Sequence, residues 1–145
     1  MHELTMRRHF SAPVEKLYRA WCDPLQIGKW FGPGAMTVPE ASVDLRVGGR
    51  YRVVMVKADQ SRHVVGGEYL QISENALLRF SWRWEGSPVA TEVELRFAAH
   101  GEGSELQLIH RQFGETDARD KHIQGWNGSL DNLAKFIEAR EGAAA

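Results

Sequence analysis

The sequence predicts an α+β domain in which a curved antiparallel sheet wraps around one long C-terminal helix, and three observations carry that prediction. From residue 41 to residue 113, apolar and polar side chains alternate in run after run, each run leaving a single apolar face. Only the last segment carries a long stripe at helical spacing, with Trp126, Leu130, Leu133 and Ile137 at i, i+4, i+7 and i+11. A sheet with one apolar face needs a cover, and the long helix is the element able to supply it, which makes two layers. Finally, Gly66-Gly67 inside a strand-like run reads as a bulge or bend that curves the sheet around that helix.

Residues 3–10, ELTMRRHF, alternate strictly, with Leu4, Met6, Arg8 and Phe10 on one face of a first strand. Ser11 stands where it can cap a short helix in which Val14, Leu17 and Trp21 recur at helical spacing. Asp23, Pro24 and Gln26 supply an N-cap, an N1 proline and a capping-box partner for a second short helix, which Gly32-Pro33 should stop. Strands follow. Val43, Leu45 and Val47 share a face before a turn at Gly48-Gly49, and Tyr51, Val53 and Met55 share one after it. HVVGGEYLQI holds the glycine pair; then Leu78, Phe80, Trp82 and Trp84, next Val93, Leu95 and Phe97, and last Leu106, Leu108 and His110 line the apolar faces of three more strands. The closing helix spans roughly 117–140, capped by Thr116 or Asp117 and ended by Gly142.

The 145 residues fit one domain, 1–145, and a compact chain of this size buries about 68–70% of its unfolded surface. With 43% hydrophobic and 26% charged residues, neither disorder nor a membrane class is indicated, and the apolar runs are far too short to span a bilayer. The start, MHELTMRRHF, lacks the continuous apolar segment of a secretory signal, so a cytoplasmic location is expected. Eighteen basic against 19 acidic residues leave a net charge of −1 and no electrostatic case for nucleic acid or anionic lipid. The one cysteine, Cys22, excludes an internal disulfide and a multi-cysteine zinc site, and reads as a small buried hydrophobe. Histidines at 2, 9, 63, 100, 110 and 122 show no metal-binding helix spacing, so neither metal nor cofactor is expected. No G-x-S-x-G elbow is present.

Several stretches together carry a family likeness: APVEKLYRAWCDPLQIGKWFGP near the start, DLRVGGRY at 44–51, GEYLQI at 67–72, RFSWRW at 79–84, SELQLIHRQF at 104–113 and GWNGSLDNLAKFIE at 125–138, with Arg8 in the first strand. In this order, over nearly the whole chain, they resemble the activator of heat-shock protein 90 ATPase homologue-like domains of the START-like, or SRPBCC, superfamily. The resemblance implies a helix-grip fold: a curved antiparallel sheet around the C-terminal helix, two short helices after the first strand, and a hydrophobic cavity between sheet and helix. Stand-alone relatives look like binders of small apolar or amphipathic molecules, others in the superfamily act as cyclases, and the eukaryotic co-chaperones rely on a separate N-terminal domain. Co-chaperone activity is therefore not carried over, though a chaperone partner, like a homodimer, stays open.

The crowded aromatics of WCDPLQIGKWFGP suggest a lid closing one mouth of that cavity. Trp21 and Phe80 read as core, since large rings dominate packing anywhere. Trp30, Tyr51, Trp82, His110 and Trp126 are the expected lining, because indole N–H groups need partners and these residues sit on apolar faces or under the helix. Glu68, beside the glycine bend, is a candidate head-group anchor or, with Arg8, one half of an internal ion pair. Three functions are compatible with this pattern. The first is a ligand-binding domain without turnover. The second is a cyclase- or hydrolase-type enzyme with Glu68 or His110 as acid or base. The third is a protein-interaction module, against which the polar outer strand faces argue. An RNA-binding sheet ranks last, because the aromatic face is needed by the terminal helix.

Overall fold

The computed structural model describes residues 2–144, and side chains for residues 2–139. The chain runs β1 (His2–Phe10), α1 (Val14–Cys22), α2 (Pro24–Trp30), β2 (Thr37–Val43), β3 (Arg50–Val56), β4 (Arg62–Ser73), β5 (Leu77–Trp84), β6 (Ala90–His100), β7 (Gly103–Phe113) and α3 (Thr116–Ala144). All seven strands form one antiparallel sheet in the order β1-β7-β6-β5-β4-β3-β2, so the first strand pairs with the last and the others follow as hairpins. The one-faced pattern survives folding: Leu78, Phe80 and Trp82, then Val93, Leu95 and Phe97, then Leu106, Leu108 and His110 are buried, and α3 buries Trp126, Leu130, Leu133 and Ile137 with them. Each large apolar side chain so buried contributes about 1.5–3 kcal/mol, which is why the helix lies where the stripe directs it.

Several local expectations are corrected. Ser11 does not cap α1. The cap position is Pro13, without a side-chain bond, and the Ser11 amide donates instead to Glu138 Oε2 at 3.1 Å. Asp23 does cap α2, its carboxylate accepting from the Leu25 amide at 2.9 Å, while Gln26 donates to the same carboxylate at 3.3 Å. α3 continues past Gly142 to Ala144. The alternation at 43–47 is not a strand: β2 ends at Val43, and Leu45 and Val47 are 41% and 62% exposed. Residues 44–49 close on themselves through Arg46 N–H to Asp44 C=O and Gly49 N–H to Arg46 C=O, and Gly48 takes a φ of +86°. Turn bonds and a left-handed glycine outweigh a period-two pattern too short to pair.

The Gly66-Gly67 pair marks close approach rather than a bulge. A Cβ on Gly67 would lie 2.0 Å from the Ser81 carbonyl oxygen, whereas the register shift against β5 falls between Tyr69 and Gln71. Arg8 and Glu68 do not pair, because four strand spacings separate β1 from β4, about 19 Å at ~4.8 Å per strand. Arg8 reaches α3 instead, donating to Asp131 Oδ1 at 2.8 Å.

Candidate functional site

α3 packs toward β1 and β7 and against α1 and α2, and its first turns reach β5 through side chains, His122 on Trp84. The space left is a cavity of about 350 Å³, within the range of small-molecule sites. β5 gives it Trp82 and Trp84, β3 gives Met55, the residue after β3 gives Lys57, and β4 gives His63. α3 contributes Lys121, His122, Gly125, Trp126 and Ser129, one face by their helical spacing. The loop after α2 adds Phe31, Pro33 and Met36. That loop is clasped to α3: Asn132 Nδ2 donates to the carbonyls of Gly32 and Gly34 at 2.8 and 2.9 Å, and a Cβ on Gly128 would lie 2.7 Å from Pro33 Cβ. A Cβ on Gly125 would meet nothing within 4 Å, so this glycine widens the cavity.

The wall is a continuous aromatic array. Trp82 lies 5.0 Å from Trp126, 5.5 Å from Trp84 and 6.1 Å from Phe31 between ring centroids, the edge-on and tilted spacings such rings favour. Behind it, Trp126 Nε1 donates to His110 Nδ1 at 3.0 Å. An indole nitrogen can only donate, so Nδ1 is bare, the ring proton sits on Nε2, and Nε2 donates to Thr91 Oγ1 at 2.7 Å. The Thr91 hydroxyl passes its own proton to the Trp82 carbonyl at 3.2 Å. The same logic assigns His122: Trp84 Nε1 donates to its Nε2 at 3.0 Å, and its Nδ1–H donates to the Ala118 carbonyl at 2.7 Å. Both imidazoles are therefore neutral with both nitrogens engaged. Burial, helped by the neighbouring His122, pushes His110 down to about 2, and burial holds His122 below the ordinary imidazole range. The buried Trp82 N–H, by contrast, has no acceptor among the described residues.

Of the residues expected to line the site, Trp82 and Trp126 do, and His110 lies fully buried just behind them. Trp30 does not. It is 2% exposed, stacks edge-on against Trp21 at 4.6 Å, and donates its N–H to the Ala20 carbonyl at 3.0 Å, so the short helix buries the ring that the sequence placed at the lid. Phe31, next in sequence, takes that place. Tyr51 is spent on the core, its hydroxyl donating to the Ser81 carbonyl at 2.7 Å. Glu68 pairs across from Arg50 on the outward register of the sheet, in a separate polar hollow with Arg52 and Arg83.

Sequence reasoning set Phe31 in the aromatic lid without naming it among the lining residues, and missed Met36, Lys57, Lys121, His122 and Gly125. The i, i+4 relation of Lys121 to Gly125, and of His122 to Trp126, was the available signal for the helical ones. Burial pushes the half-buried Cys22 thiol up to about 12, against a smaller lowering by a Tyr18 hydrogen bond, which takes it away from nucleophilic use. Histidine spacing along the chain was also the wrong test for convergence. Adjacent strands bring ligand atoms of His9, His100 and Glu105 within 4.8 Å of one another, although Glu105 is engaged by Arg7 at 3.2 Å and His9 at 2.9 Å.

Residues 11–138 match the family model described as activator of Hsp90 ATPase homologue 1-like protein. No curated protein matches the chain. Among solved structures, it is similar to a Chromobacterium violaceum protein at 28% identity and a TM-score of 0.87, covering 94% of this chain and 96% of that one. An AHSA1 protein from Silicibacter pomeroyi is similar at 25% identity and a TM-score of 0.88, over 96% and 99% of the two chains. CalU16 from Micromonospora echinospora is similar at 28% identity and a TM-score of 0.71, over 97% and 79%.

Proposed function

We propose that this chain, which belongs to the activator of Hsp90 ATPase homologue 1-like family and has the START-like helix-grip fold, binds a small apolar or amphipathic molecule in the cavity beside α3. The observation that carries this reading is the aromatic wall of Phe31, Trp82, Trp84 and Trp126 around about 350 Å³ with no carboxylate in its lining. Turnover finds no support in the same geometry: His110 and His122 are neutral with both nitrogens occupied, and Glu68 lies outside the cavity.

Gly125→Leu tests the proposal, because it fills the cavity from a position where a side chain meets open space. Fatty acids, steroids, flavonoids and aromatic acids are titrated while the tryptophan fluorescence of the wall is followed. Saturable quenching by one class in the wild type, lost in Gly125→Leu without a fall in melting temperature, is the expected result. Binding that is equal in the two proteins would place the ligand elsewhere, and no binding by any class would remove the reading.

A further inference from the structure

Resting on that binding site, we infer that its occupant is an amphiphile with an anionic head group, a carboxylate held at the mouth between Lys57 and Lys121 while its apolar body lies on the Trp82 and Trp126 wall. The lining contains two charged side chains of fixed sign, both lysines, and no aspartate or glutamate. They come from opposite layers. Lys57 continues the inward register of Tyr51, Val53 and Met55 just beyond the end of β3, and Lys121 stands one helical turn before Gly125 on the cavity face of α3. Both are exposed, so their stems can lie along the apolar wall while the ammonium groups stay at the rim.

The charge there is poorly neutralised from within. Several arginines are paired in this structure, Arg8 with Asp131, Arg52 with Glu40 and Glu85, and Arg111 with Glu92 and Glu94. Lys121 has no ion-pair partner among the described residues. Lys57 lies within electrostatic reach of Asp59, whose Oδ1 already accepts from the Ser61 amide at 2.9 Å and the Ser61 hydroxyl at 2.6 Å. His63 and His122 line the same cavity, and neither supplies a negative group. Two ammonium groups flanking the entrance of an apolar cavity favour an anion by charge-assisted hydrogen bonds, leave a neutral head group with burial alone, and repel a cation.

The test is calorimetric titration with two matched sets that share an apolar body: decanoate, decan-1-ol and decylamine, and naphthalene-1-acetate with its neutral alcohol and its amine. Wild type, Lys57→Gln/Lys121→Gln and Gly125→Leu are compared, melting temperature confirming that each is folded. Carboxylates binding roughly tenfold more tightly than the alcohols, with the amines weakest and the preference erased in the lysine variant, support the inference. Alcohols binding as tightly as carboxylates in the wild type, with Gly125→Leu abolishing both, overturn the anionic head group but leave the cavity standing. Carboxylate preference unchanged in Lys57→Gln/Lys121→Gln overturns the assignment to these lysines. Absence of binding by every member of both sets overturns the head-group inference together with the cavity.

Discussion

Trp30 and Phe31 are neighbours in sequence with opposite fates, and the difference is one of hydrogen bonding. Trp30 satisfies its N–H on the Ala20 carbonyl at 3.0 Å, which fixes the ring under α1, while Phe31 has no polar atom to satisfy and turns to the cavity as the chain leaves α2. Trp30→Ala is therefore expected to cost about 3–5 kcal/mol of stability, the range for truncating a buried tryptophan, and to leave ligand affinity nearly intact once the protein is folded. Phe31→Ala, which removes a buried ring that also lines the cavity, should lower both stability and ligand affinity. Urea unfolding and ligand titration on the pair decide it. Trp82 was legible as an inward residue because its strand alternates, and Trp126 because its stripe does. Tyr51 and Glu68 misled for a related reason. Alternation gives a face, but not how far along the strand the cavity extends, and Glu68 lies on the register opposite to Tyr69.

Among the elements, α3 carries the most information, since two of its glycines do opposite things. Gly125 opens onto the cavity and Gly128 lets the helix touch Pro33. Gly125→Ala should raise stability by about 0.8–1.0 kcal/mol, the helix-propensity difference, because the added methyl meets only space. Gly128→Ala makes the same gain but forces a carbon to within 2.7 Å of Pro33 Cβ, so it should destabilise and loosen the 31–36 loop. Thermal melts of the two variants should move in opposite directions, and equal shifts would mean the clasp contributes nothing. On the far face of the sheet, Arg79, Glu92, Arg111, Glu94 and Arg96 form a chain of ion pairs across β5, β6 and β7. Burial alone would raise the Glu94 carboxyl, but Arg96 and Arg111 together hold it below the usual range. This charged outer surface was readable from the polar register of the strands.

For the whole molecule, the two buried imidazoles tie stability to pH. The folded state keeps His110 and His122 neutral below the unfolded value of 6.5, so between that value and their lower folded ones the unfolded chain binds more protons. Their contribution is complete above pH 6.5 and is lost as pH falls, at up to about 1.4 kcal/mol per pH unit for the fully buried His110. Urea midpoints at pH 7.5, 6 and 5 should fall in that order, and a variant carrying His110→Asn should show a shallower fall; an unchanged slope would mean that other groups govern acid unfolding.

Among the described residues, no helix is long and apolar enough to cross a membrane. By itself the sequence determined the two-layer architecture, the inward residues of β5, β6 and β7 and the stripe of α3, because periodicity is a local property that burial only has to honour. Only the tertiary structure decided where the cavity lies, that Phe31 rather than Trp30 faces it, and that Lys57 and Lys121, from opposite layers, both line it. Those outcomes depend on how far α3 stands from the sheet and on which strands neighbour one another, distances set by packing between segments remote in the chain.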